Sequence, residues 1–296
     1  MRSRLRSKAG FLYAYALLTP SLFSVLAFYL LPVIIVFALT FFHWDLFSSP
    51  DFVGLGNYRN VLGDSSVWHS LLTTCYYVAL TIPLQIIFAI LLALLLNQKV
   101  RGVKVFRAMY VIPFMATPVV IGLVWSWIYA PQAGSVDAFL SLFGVDGPSW
   151  LSNPSLAMPA VAMVHVWQLT GYNMLFFLAG LQNIPAEYYG AASVDGASKV
   201  QQFFHITLPL LRPTTFFVLV TDIIGSFQVF DTIYIMTLGG PGHATEVINF
   251  KIYSAAFERF DFGYASALAL ILFLIILTIT LLQVRYFSRR TVYDMT

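Results

Sequence analysis

The chain alternates long apolar stretches with short clusters of charge. Six stretches stand out, at about 13–41, 70–96, 107–130, 157–181, 208–238 and 263–285. Each reaches the ~20 residues that a helix needs to cross a hydrocarbon layer ~30 Å thick. The last is the cleanest, with no charge between Asp261 and Arg285. Pro20 and Pro32 predict kinks in the first, which membrane helices tolerate. The pattern predicts an all-α polytopic membrane protein: one transmembrane domain over 1–296 with six spanning helices.

Composition narrows the class. Apolar residues make up 59% of the chain and charged residues 10%, against about a quarter charged in a soluble domain. Mean hydropathy is +0.80. Such a chain cannot cover itself with polar surface in water, which excludes a soluble enzyme. The low charge and 17% aromatic content exclude disorder. A net charge of +3 is too small and too dispersed for a nucleic-acid binder. Cys75 is the single cysteine, so no internal disulfide forms, and its apolar neighbours predict ordinary packing. The uncharged run Ala9–Trp44 far exceeds the ~7–15-residue core of a cleavable signal, so the first span is expected to be retained.

Charge also predicts orientation. With six spans both termini lie on one side. That side collects Arg2, Arg4, Arg6 and Lys8, then Lys99, Arg101, Lys104 and Arg107, then Lys199 and Arg212, and finally Arg285, Arg289 and Arg290. The other side holds Arg59, Lys251 and Arg259. Thirteen basic residues against three predict cytoplasmic termini. The outer loops, about 42–69, 131–156 and 239–262, are too short for domains and suit short helices on the membrane surface.

Catalytic motifs are missing. The sequence has no GxxxxGK[ST] phosphate loop, HExxH, CxxC or GxSxG. The five histidines, at 43, 69, 165, 205 and 243, lack metal-ligand spacing. No catalytic group and no metal site are expected, so transport or scaffolding is favoured over an intramembrane enzyme, while a free-standing channel stays open on the motifs alone.

The loop between the fourth and fifth spans, 184–209, is the most informative segment. Pro185 suits a first helical turn and Glu187 complements the helix dipole there. Gly190, Ala191 and Ala192 leave a small, smooth face; Asp195-Gly196 marks a turn, and a second helix can start at Ala197 and run into His205. The loop reads as helix, tight turn, helix. It is either an amphipathic hairpin on the headgroups or a docking knob for a cytoplasmic partner.

The segment resembles the EAA loop of binding-protein-dependent ABC importer permeases, whose pattern is roughly EAAxxDGAxxxxxFxxIxLP. Ala191-Ala192, Asp195-Gly196-Ala197, Phe203, Ile206 and Leu208-Pro209 stand at matching places. The family's glutamate falls on Gly190, and Glu187, one turn earlier, offers a partial substitute. Phe52-Val53-Gly54-Leu55-Gly56-Asn57-Tyr58 is similar to the first outer loop of the carbohydrate branch. Leu238-Gly239-Gly240-Pro241-Gly242 is similar to the first permease subunit of maltose-type and glycerol-phosphate-type importers.

The resemblance implies a type I importer permease fold in a bacterial inner membrane. It implies a heterodimer with a second permease, two ATPases beneath the coupling loops and an extracytoplasmic solute-binding protein. Alternating access would be driven by ATP and Mg bound on the ATPases, with no cofactor on this chain. The ATPase-coupling residues would be Glu187, Gly190, Ala191, Ala192, Asp195, Gly196 and Ala197.

Acidic groups inside a membrane are costly and mark function. The fifth span alone carries them, at Asp222 and Asp231, about 180° apart on an unbroken helix. They share a face only if the helix unwinds near Gly225-Ser226. Gln228 precedes Asp231 by a turn, with Phe227, Phe230 and Tyr234 close by. Polar groups beside aromatic faces suit sugars, and the resemblance places solute contacts here and in the sixth span. Gln228 and Asp231 are the first candidates for the solute pathway; Asp222 contacts solute, the partner permease or the inner gate. The fourth span adds Gln168, Tyr172 and Asn173, for which helix–helix hydrogen bonding is an equal account. His165 is read as a satisfied interhelical group. Tyr264 and Ser266 are further lining candidates, and Trp125, Trp127 and Tyr129 read as an interfacial belt. No lysine or arginine lies in the interior of a span, since Arg107, Arg212 and Arg285 stand at or near span ends. That favours a neutral sugar or oligosaccharide over a glycerophosphodiester, which would call for a basic group.

Overall fold

The computed structural model describes residues 8–98 and 101–288. Arg2, Arg4, Arg6, Lys99, Arg289 and Arg290, all counted in the orientation argument, lie outside the described residues. The elements in chain order are α1 (Lys8–Val25), a π-helical turn (Leu26–Leu30), α2 (Leu31–Leu39), β1 (Phe42–His43), β2 (Asp51–Phe52) and α3 (Gly56–Gly63). They continue with α4 (Ser65–Leu96), α5 (Val103–Met115), α6 (Pro118–Ile128), α7 (Ser135–Ser141) and α8 (Pro154–Gln182). The second half holds α9 (Ala186–Val194), α10 (Lys199–Gln202), a π-helical turn (Phe203–Thr207), α11 (Leu208–Leu210), α12 (Arg212–Phe227) and α13 (Asp231–Met236). Last come α14 (Ile248–Tyr253), a third π-helical turn (Ser254–Glu258) and α15 (Phe262–Ser288).

Among the described residues, four helices are long and apolar enough to cross a membrane: Tyr15–Leu39, Ser65–Leu96, Pro154–Gln182 and Phe262–Phe287. The third and fifth apolar stretches differ from the single helices expected. α5 and α6 meet at 98°, and Lys199–Leu210 meets Arg212–Phe227 at 63°. The first break has a local cause. Thr117 precedes Pro118 and is extended (φ −65°, ψ 142°), as a residue before proline prefers, and the proline nitrogen has no hydrogen to donate. The expected helix over 208–238 is broken again: α12 stops at Phe227 and α13 resumes at Asp231.

The chain forms two compact units, one of residues up to Asp64 with Ile252–Leu272, the other of Ser65–Lys251 with residues from Phe273 onward. In the first unit no residue of Tyr15–Leu39 is buried. Phe42 pairs with Phe52 in a two-residue antiparallel ladder. Asp45 closes the connecting turn: Oδ1 accepts from the Ser48 and Phe47 amides at 2.8 and 3.0 Å and from Ser48 Oγ at 2.7 Å. The Ser48 amide is the largest of the donors that pull the exposed Asp45 carboxyl down to a pKa of about 2. Asn57, from the outer-loop motif, donates through Nδ2 to the carbonyls of Thr40 (2.9 Å) and Phe42 (2.8 Å). Tyr58 donates to Thr40 Oγ1 at 2.9 Å.

The second unit packs α4 along α8 and α12. One core gathers Tyr77, Met158, Val161, Val164 and Ile233; another gathers Ala89, Ala93, Met174, Phe177, Leu211 and Val218. Water does not drive apolar groups inward within lipid, so close fit and internal hydrogen bonds hold helices together. Both devices are present. Ser70, Thr74, Tyr77, Thr81 and Gln85 of α4 are all fully buried, although Tyr77 Oη and the Gln85 amide have no hydrogen-bond partner among the described residues. Thr74 and Thr81 return their hydroxyls to the carbonyls of Ser70 (2.7 Å) and Tyr77 (2.9 Å). Cys75, expected to be packed, is exposed instead, because the polar stripe, not the apolar one, faces inward. At Gly171 the α8 backbone presses on α5: a Cβ there would stand 1.7 Å from the Tyr110 carbonyl oxygen. Gly171→Leu is therefore expected to lower the yield of folded protein from detergent-solubilised membranes several-fold. Wild-type yield and monodispersity would contradict this contact.

Candidate functional site

The loop after α8 folds as helix, turn and helix. Pro185 precedes α9, and Glu187 lies exposed in its first turn. α9 ends in a two-bond closure: Gly196 N donates to Ser193 O (3.2 Å) and Ala197 N to Ala192 O (2.8 Å). This arrangement needs a left-handed residue at its apex, and Gly196 supplies it with φ +78°. Asp195 is the exposed residue just before. The second helix starts at Lys199, slightly later than expected, because Ser198 caps it. Ser198 Oγ accepts from Gln201 N at 3.3 Å, and Gln201 Oε1 accepts from Ser198 N at 2.7 Å.

Two side-chain bridges lock these helices together. Gln202, 4% exposed, donates to Ser193 Oγ (2.9 Å) and the Ala197 carbonyl (3.2 Å). Tyr189 Oη lies 2.9 Å from Thr207 Oγ1. Ala192, Asp195, Gly196, Ala197, Gln201 and His205 line a cleft of about 420 Å³ on the knob. Gly190 is exposed, and a Cβ there would meet nothing within 4 Å, so its face is open and has room for a side chain. Ala191 is exposed beside it. Gln202, Tyr189 and Thr207 were not singled out from the sequence; the Ser198–Gln201 spacing was the legible signal.

The second region is a cavity of about 310 Å³ where the helix breaks meet α8. Gln168, Gln228 and Asp231 all line it, with Phe114, His165 and Phe230. The unwinding that brings Gln228 and Asp231 there lies at Gln228–Phe230, just beyond the Gly225-Ser226 position expected. Each break frees backbone groups, and irregular backbone within a membrane must be satisfied by protein or line a cavity. Side-chain amides do this at both breaks. Gln168 Nε2 donates to the Ala116 carbonyl at 3.2 Å, and Asn249 Nδ2 donates to the Gln228 carbonyl at 2.8 Å.

The other candidates lie elsewhere. Asp222, 7% exposed, accepts from Asn173 Nδ2 at 2.6 Å, and neither residue lines the cavity. Tyr172 stacks on the cavity residue Phe114 at 4.0 Å between ring centroids and 12° between planes. Tyr234 packs between Phe230 (5.3 Å) and Phe250 (6.3 Å), and Phe227 is buried. His165 was expected to be satisfied; its Nε2 is buried with no hydrogen-bond partner among the described residues, and its ring lies 5.7 Å from Tyr77. Trp125 and Tyr129 form an aromatic cluster with Trp167 and Trp150, and Trp127 and Trp167 are exposed. In the first unit, Tyr264 donates to Asp64 Oδ2 at 2.7 Å, and Ser266 is buried.

The profile of the family described as "Binding-protein-dependent transport system inner membrane component" matches residues 60–293. The chain belongs to this family. This permease is 38% identical over 276 residues to the probable ABC transporter permease protein YesP of Bacillus subtilis, covering 92% of this chain and 89% of that one. It is 35% identical to the trehalose/maltose transport system permease protein MalF of Thermococcus litoralis, with 92% of each chain covered. It is also 35% identical to the sn-glycerol-3-phosphate transport system permease protein UgpA of Agrobacterium fabrum, covering 94% and 96%. Its fold is that of a chain in a bacterial ABC transporter involved in the import of alginate, with a TM-score of 0.84, 24% identity, and 96% and 98% of the two chains covered.

Proposed function

We propose that this permease is one of two membrane-spanning subunits of an ATP-driven importer for a neutral sugar or oligosaccharide. The observation that carries the solute class is the lining of the 310 Å³ cavity. It combines the amides of Gln168 and Gln228, the Asp231 carboxylate and the rings of Phe114 and Phe230, and holds no lysine or arginine among the described residues. Amides donate to and accept from hydroxyls, a carboxylate accepts from them, and aromatic faces take the C–H faces of a sugar ring. A phosphate would call for a guanidinium or ammonium. Relatives of equal similarity are named for trehalose/maltose and for sn-glycerol-3-phosphate, and the cavity chemistry favours the first.

In this reading each bent helix pair counts as one of six spans, with both termini and the 184–209 knob in the cytoplasm. The knob seats on one of two ATPases, and a related permease completes the cavity. ATP-driven closure of the ATPases moves the knob and turns the cavity outward toward a solute-loaded binding protein. The test is a tagged purification from native membranes, followed by reconstitution and uptake of trehalose, maltose and sn-glycerol-3-phosphate. Recovery of a second permease and a P-loop ATPase, with uptake of neutral sugar, supports the proposal. A stable lone chain overturns the complex, and uptake of sn-glycerol-3-phosphate alone overturns the solute class.

A further inference from the structure

The Gln228 carbonyl belongs to the break that shapes the cavity. In an unbroken helix it would accept from the Thr232 amide. Here it accepts from Asn249 Nδ2 at 2.8 Å, across 21 residues of chain. Asn249 lies on α14, at the end of the glycine-rich segment that begins at Leu238, and that segment is firmly held. Thr245, fully buried, donates to the Gly240 carbonyl at 2.7 Å and lies 2.7 Å from Thr237 Oγ1. A Cβ on Gly239 would stand 3.0 Å from the Phe250 ring, so loop and ring are in close contact. The far side is anchored on α4: Ile248 N donates to Thr74 Oγ1 at 2.9 Å. Lys251 donates to Ser66 Oγ and lies 3.6 Å from Glu246 Oε1. Asn249 thus has a fixed base, and its amide holds the backbone of a cavity residue without lining the cavity itself.

We propose that Asn249 is a positioning residue: it holds the Gln228 backbone in its unwound form and so sets how the Gln228 side chain meets the solute. The segment 239–251 then ties the cavity wall to the end of α4. The solute consequence rests on the cavity reading above, while the positioning of Gln228 does not. An aspartate or leucine at 249 cannot donate to a carbonyl, whereas glutamine can.

The test uses the full complex with Cys75→Ala, and a charged, water-soluble maleimide as probe. Asn249→Leu is expected to change the labelling rate of Gln228→Cys by at least about fivefold, the scale of the net contribution of one intramolecular hydrogen bond. Asn249→Gln is expected to bring the rate back toward that of the parent. Leu142→Cys, exposed away from the knob, reports general loosening and should label at an unchanged rate. In uptake of whichever test sugar the parent accumulates, Asn249→Leu should raise KM with little change in maximal rate. Equal labelling of Gln228→Cys with and without Asn249→Leu overturns the proposal, as does a parallel change at Leu142→Cys. A labelling shift with unchanged KM, both here and in Gln228→Ala, overturns the cavity reading and leaves the positioning role standing.

Discussion

Gly196→Val is expected to cut ATP-driven uptake about tenfold or more while the chain still reaches the membrane and still binds its partner permease. Gly196 sits at φ +78° at the apex between α9 and α10. A residue with a Cβ pays about 1–2 kcal/mol in that conformation, and a β-branched one more. The strain is relieved by opening the closure in which Ala197 N reaches Ala192 O. That would separate α9 from α10 on the face proposed to meet the ATPase, and each ~1.4 kcal/mol lost at the rate-limiting step is a factor of ten. Gly196→Asn is the informative companion, because asparagine tolerates the left-handed region; it should keep most of the activity. Uptake and ATPase stimulation in proteoliposomes check both. Wild-type uptake by Gly196→Val would remove the docking role of the knob, since no Cβ contact would block it: nothing lies within 4 Å.

The second large effect is expected from Gln228→Ala with Asp231→Ala. Both side chains are exposed to the 310 Å³ cavity. Neither is part of the packed core, so yield and thermal stability should hold. A hydrogen bond to solute is worth about 0.5–1.5 kcal/mol when neutral and about 1.5–3 kcal/mol when charge-assisted. Together the changes should raise KM for a transported sugar at least about tenfold. Asp222→Asn is a contrast: Asp222 accepts from Asn173 Nδ2 inside the helix packing, so its loss should show in complex yield before affinity. Unchanged uptake and KM in the double variant would take the solute site away from this cavity.

The helices were legible because length and apolarity alone decide what can cross a membrane. The knob was legible too, since its turn rests on local chemistry, the Asp195-Gly196 pair that supplies the left-handed position. The breaks were not. Pro118 interrupts the third stretch, yet Pro20, Pro83, Pro113 and Pro159 all sit inside helices, so proline by itself does not mark a break. The break at Gln228–Phe230 has no proline, and the nearby Gly225 stays helical. It persists where Asn249 supplies a donor from a distant segment, and no local pattern encodes that.

The same division runs through the candidate site. Asp222 and Asp231 stand out as rare charges in apolar sequence, but only packing separates them: one pairs with Asn173, the other faces open space. Gln168 stands out less, yet it satisfies the Ala116 carbonyl at one break and lines the cavity at once. The sequence by itself determined the class of molecule, its apolar stretches, its helix–turn–helix loop and its family, because these follow from composition, local turn chemistry and motif spacing. Tertiary structure decided that the fifth stretch breaks at Gln228–Phe230 and which polar groups meet, because there the freed carbonyl is met by Asn249, a partner remote in sequence.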